Sequence, residues 1–107
     1  MPVKRYGDIP VETLPQYPGN YYQTIVDESE SRGIMSKIQR FDEEVPLHSH
    51  PEIEHVFYFL DGRGTIIIDG VEEPFEPNSA VFIPAGAEHR LVAEAGGATI
   101  VFVSHRV

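Results

Sequence analysis

Short runs of β-branched and aromatic residues, each cut off by turn-forming residues, leave this chain little choice but to fold as sheet. No window of 11 or more residues carries apolar side chains at a helical period. Instead, strand-like runs fall at Tyr22–Val26, Ile34–Phe41, Val45–His50, His55–Leu60, Thr65–Ile68, Ala80–Ile83, Arg90–Ala93 and Thr99–Val103. Between them lie turns such as Asp61-Gly62-Arg63-Gly64, Glu76-Pro77-Asn78-Ser79 and Ala95-Gly96-Gly97. Asp69-Gly70, set between Ile68 and Val71, is a hairpin signal, because both positions of a tight hairpin turn need left-handed backbone. Strands at this close spacing predict an all-β sandwich or barrel.

The 107 residues read as one domain, long enough to bury a modest core. Residues 1–33 form a Pro- and Tyr-rich arm with one possible strand, and 34–107 form the barrel. Pro2, Pro10, Pro15 and Pro18, with Tyr6, Tyr17, Tyr21 and Tyr22, make the arm extended or irregular. Tyrosines at that density predict packing, either on the chain's own barrel or on a second subunit.

Composition narrows the partners. The formal charge is −9, from 17 acidic and 8 basic residues, and this field repels a phosphate backbone, so nucleic acid is not expected as a partner. No apolar run approaches a membrane-spanning length, and Met1-Pro2-Val3-Lys4-Arg5 has no apolar segment behind it that would make a signal peptide, so no membrane partner is expected. Cysteine is absent, which suits a cytoplasmic location and leaves only nitrogen and oxygen to hold any metal.

The histidines carry the chemistry. His48 and His50 form an H-x-H pair, His55 follows, and His89 closes Pro84-Ala85-Gly86-Ala87-Glu88-His89. On a strand, residues two apart share a face, so His48 and His50 can aim at one ion. His105 has no such company and is expected to be exposed, as are the acidic turns at Asp42-Glu43-Glu44 and Glu72-Glu73.

These motifs resemble those of the cupin superfamily, over about Phe41 to Val103. His48, His50 and Gly62 match the first cupin motif, and Pro84, Gly86 and His89 match the second. Spacing back from Gly62 puts His55 where the family has a glutamate, with Glu54 as the alternative ligand one residue earlier. Asp42 stands at the opening glycine of the first motif and Ala93 at the closing asparagine of the second. Asn78 stands at the opening glycine of the second motif, and asparagine tolerates left-handed backbone better than most residues.

The resemblance implies a double-stranded β-helix, the jelly-roll barrel, holding one divalent transition metal through His48, His50, His55 and His89. Mn, Fe, Ni, Cu and Zn all accept imidazole. It implies a metal-dependent enzyme on a small organic molecule, dioxygenase-type favoured, with a redox-silent isomerase, lyase or cyclase and a non-enzymatic binding module as alternatives. It also implies a homodimer. If His55 faces inward, so do Phe57 and Phe59, and these are the expected pocket walls. Another wall is expected from Val81 and Ile83, or from Ala80 and Phe82. Lys37 and Gln39, on one face of Ile34–Phe41, are expected to reach the substrate.

Overall fold

A computed structural model describes residues 3–107, and nine strands account for most of them. They are β1 (Asn20–Val26), β2 (Ile34–Phe41), β3 (Glu44–His48), β4 (Ile53–Asp61), β5 (Gly64–Ile68), β6 (Val71–Phe75), β7 (Ala80–Ile83), β8 (His89–Ala93) and β9 (Ala98–Arg106). All pairings are antiparallel, in a five-stranded sheet ordered β1-β2-β9-β4-β7 and a four-stranded sheet ordered β3-β8-β5-β6. This is the jelly-roll sandwich expected of the sequence.

Alternation decides which side chains meet between the sheets. On β4, His55, Phe57 and Phe59 are buried, whereas Val56, Tyr58 and Leu60 are exposed. Phe41, Ile100 and Phe102 join them from the same sheet, and Val45, Ile66, Phe75 and Leu91 face them from the other. Phe59 stacks on Phe75 with centroids 4.2 Å apart and planes 13° from parallel, and Phe41 meets the same ring edge-on at 6.4 Å. This aromatic cluster fills its part of the interior completely: Phe41 and Phe59 are at most 1% exposed.

The turns behave as their residues dictate. Asp69 and Gly70 adopt φ +48° and +82° between β5 and β6, the left-handed pair a two-residue hairpin requires. Asn78 sits at φ +68°, taking the backbone role that a glycine would otherwise fill. Of the departures from simple alternation, the one in β3 bears on the histidines. The β3–β8 register shifts between Val45 and His48, and Pro46, which has no N–H to give the ladder, lies within the shift. The bulge lets Val45 and His48, three residues apart, share one face while Leu47 is 56% exposed.

The arm folds back on its own chain. Glu12 bridges Tyr22 on β1, and the Gln23 side chain donates to the carbonyls of Tyr6 and Ile9. Met1 and Pro2, at the start of the arm, lie outside the described residues. No helix is long and apolar enough to cross a membrane among the described residues.

Candidate metal centre

Three strands and one loop bring the histidines together. His48 ends β3 and His89 begins β8, where the two are direct cross-strand partners with ring centroids 4.2 Å apart. His50 lies just beyond β3, its ring 4.8 Å from that of His48. The loop before β8 fixes it: the N–H of Gly86 donates to the His50 carbonyl at 2.9 Å. Gly86 makes this turn at φ +84°, so the second motif anchors the backbone of the first. His55 arrives from β4 on the opposite sheet, 5.1 Å from His50 and 5.7 Å from His89, ring to ring. One ring nitrogen from each of His48, His50 and His89 lies within 4.8 Å of the other two, and His55 falls outside this group.

Hydrogen bonding sets the tautomers. His48 Nδ1 lies 2.7 Å from the Pro46 carbonyl and His89 Nδ1 lies 3.0 Å from that of Ala87. A carbonyl only accepts, so both Nδ1 atoms carry the proton. Each ring then keeps an Nε2 lone pair for an ion. Burial, reinforced by its histidine neighbours, lowers the pKa of His55 to about 4. Burial likewise takes His89 to about 4 against the opposing pull of the Ala87 carbonyl. His50 is lowered by burial and then by His48. Buried imidazoles that resist protonation are ready-made ligands. Neither nitrogen of His55 has a hydrogen-bond partner among the described residues, although both are buried.

A cavity of about 170 Å³ opens beside these rings. Phe57 and Phe102 form an apolar wall, and Lys37, Gln39 and Tyr22 form a polar one. Several sequence expectations change here. Phe59 does not line the cavity; it lies one row further along β4, committed to its stack on Phe75. Ile83 and Val81 pack with the core rather than along the cavity, and Phe82 is 54% exposed. Glu54 faces away from the histidines, its carboxylate 3.6 Å from His105 Nδ1 on the outer side, so strand phase removes it as a ligand. Conversely, Leu14 and Tyr17 of the arm line the cavity, Tyr17 resting 5.7 Å from the His48 ring. Only the density of tyrosines hinted at that role.

The family described as "Cupin domain" matches residues 37–105. The chain belongs to the cupin family. No curated protein matches it in sequence. Solved structures with the same fold include a predicted oxalate decarboxylase from Thermotoga maritima, at TM-score 0.84 and 18% identity, covering 98% of this chain and 99% of that one. The polyketide cyclase RemF from Streptomyces resistomycificus aligns at TM-score 0.83 and 23% identity, covering 99% and 79%. A sugar phosphate isomerase of the cupin superfamily from Silicibacter pomeroyi aligns at 0.81 and 18%, covering 99% and 76%. At these identities the likeness is one of fold.

The donor set of this cupin fits a divalent transition ion. Nitrogens around one ion at about 2.1 Å stand no more than about 4.2 Å apart. The His48, His50 and His89 donors, within 4.8 Å of one another, come close to that limit. The unpartnered His55 nitrogens supply the independent test, because a buried polar atom ordinarily has a partner. Ala93 contributes nothing to this set; its side chain packs on the core and its N–H donates to the Glu43 carbonyl.

Proposed function

We propose that this cupin is a metal-dependent enzyme acting on a small organic molecule, with dioxygenase-type chemistry as the leading class. The observation that carries the reading is the pair of orphaned His55 nitrogens beside the donors of His48, His50 and His89. Such a set holds one ion of Mn, Fe, Ni, Cu or Zn. When bound, the ion supplies Lewis-acid charge and, if redox-active, an electron source or sink.

The chain's own groups do the rest. The histidines serve as ligands, since holding an ion occupies their lone pairs. Phe57 and Phe102 keep water off the reacting region, and Leu14 and Tyr17 line the same cavity from the arm. A dry cavity of about 150 Å³ takes a benzene-sized molecule. The cavity here, about 170 Å³, therefore suits β-diketones and small enolisable acids better than flavonols.

A redox-silent isomerase, lyase or cyclase is the second reading. Lys37 favours it as the one charged side chain lining the cavity among the described residues, and so a candidate proton carrier. The two readings separate in one experiment. Protein loaded separately with Fe, Mn and Zn is tested for dioxygen uptake and product formation with a panel of β-diketones and enolisable acids. Dioxygen uptake with Fe or Mn, lost with Zn, supports the dioxygenase. Turnover that survives Zn and uses no dioxygen moves the assignment to the second reading. Tight binding without product makes the protein a binding module.

A further inference from the structure

The wall of the cavity furthest from β4 is built unlike the rest. On the inner face of the five-stranded sheet, Lys37 pairs with Phe102, which pairs with Phe57, and Gln39 pairs with Tyr22 on β1. The row beside it runs from Met35 through Ser104 to His55. β9 lies between β2 and β4, so two strand spacings, about 10 Å, separate the backbone of Lys37 from that of Phe57, and His55 lies two residues further along β4. The floor between them is aromatic.

A chain of hydrogen bonds orients the polar wall. The Asn20 amide donates to the carbonyls of Glu44, at 2.9 Å, and Pro18, at 3.2 Å, which leaves its oxygen as an acceptor. The Gln39 amide donates to that oxygen at 2.8 Å and to the Tyr22 hydroxyl at 3.3 Å. Tyr22 thus accepts from Gln39 and keeps its own proton to donate elsewhere. Burial, with Tyr17 nearby, raises the Tyr22 pKa to about 12, so the hydroxyl stays a donor. Lys37 Nζ lies 5.6 Å from the centre of the Tyr22 ring, within cation–π range. It forms no ion pair among the described residues. Asp27, which senses its charge weakly, is committed to Ser29. No carboxylate lines the cavity among the described residues, in a chain of net charge −9.

We propose that Lys37 and Tyr22 form an anion-binding end of the cavity, opposite the histidines. It selects small, ring-sized acids that present metal-chelating oxygens at one end and an anionic oxygen group at the other. The proposal deepens the reading of the histidine site and names its substrate class. Lys37 supplies the charge, Tyr22 a fixed donor, and Phe57 and Phe102 flank an apolar body. A neutral molecule of the same shape leaves the ammonium without a partner in a half-dry site, and that penalty is the source of discrimination.

The test compares catechol with 3,4-dihydroxybenzoate, which share a chelating diol and differ by one carboxylate on the far side of the ring. Calorimetric titration of full-length, zinc-loaded protein is expected to show the acid binding at least tenfold more tightly. Lys37→Met abolishes the preference, Lys37→Arg retains it, and Tyr22→Phe reduces it about threefold or more, while every variant takes up zinc as the unaltered chain does. Equal affinity for the two ligands in the unaltered protein overturns the proposal, as does a preference that survives Lys37→Met. If the chain takes up no zinc, the metal reading fails by itself. The same question is then put to the unloaded chain with benzoate and benzamide, and equal affinity for those two overturns the anion site.

Discussion

His55 is the residue whose burial makes least sense without a ligand. Two unpartnered ring nitrogens, 7% exposure and a pKa lowered to about 4 mean that the metal-free fold bears a desolvation cost there. His55→Leu removes that cost at similar volume. The metal-free variant is therefore expected to be more stable than the unaltered chain, by about 1–3 kcal/mol in urea unfolding. Its zinc affinity is expected to fall at least tenfold. A variant that loses stability and keeps its zinc would show His55 to be a packing residue. Acid acts in a related way. His55 and His89 titrate at about 4 in the fold and at about 6.5 when unfolded. Between those values the unfolded chain binds more protons, so the stability of metal-free protein falls as the pH drops from 6.5 and has lost this contribution below 4. Urea midpoints measured at pH 7 and pH 4.5 check this, and equal midpoints contradict it.

The histidines depend on the segments that carry them, above all the loop from Pro84 to Glu88. Gly86 at φ +84° has open space where a Cβ would stand, so Gly86→Ala strains only the backbone. That strain costs about 1–2 kcal/mol, and the shift it forces also loosens the hydrogen bond to the His50 carbonyl. Zinc affinity is expected to drop with stability, whereas Gly70→Ala, equally open in a hairpin away from the histidines, lowers stability alone. Parallel denaturant and zinc titrations separate the two. Much of this placement was legible beforehand. Alternation along β4 put His55 and Glu54 on opposite faces without saying which face is inward; the spacing to Gly62 favoured His55, and the spacing of Pro84, Gly86 and His89 carried the loop. The same alternation overreached at Phe59, because a shared face does not say where along the strand a cavity ends. Nor does it reveal the β3 bulge, which depends on how Pro46 disturbs a ladder formed with a distant strand. The contribution of Leu14 and Tyr17 is purely tertiary, for it requires the arm to return over β1, and no local period records that.

With His55 as the proposed fourth ligand, the centre would join the two sheets. His48 and His89 belong to the four-stranded sheet, His55 to the five-stranded one, and His50 to the connection between them. Elsewhere that interface is held by apolar contact around the Phe59–Phe75 stack. Phe59→Ala and loss of the ion should then be separable injuries. The first removes a ring that is 1% exposed, far from the donors, and is expected to cost about 3–5 kcal/mol while leaving zinc affinity within a few-fold. The second withdraws a ligand that binds only the folded chain. At a free ion concentration 1,000 times the dissociation constant that is worth about 4 kcal/mol. In a domain of this size each kcal/mol moves the midpoint by about 4 °C or more, so zinc is expected to raise Tm by about 15 °C. Because the gain arises from fastening one sheet to the other, it should shrink sharply in His55→Leu, which leaves donors only on β3, its following loop and β8. Thermal scans of the unaltered protein, His55→Leu and Phe59→Ala, each with and without zinc, read this directly. A full gain in His55→Leu would place the ion on the four-stranded sheet and the β3–β4 connection alone and leave β4 out of the centre.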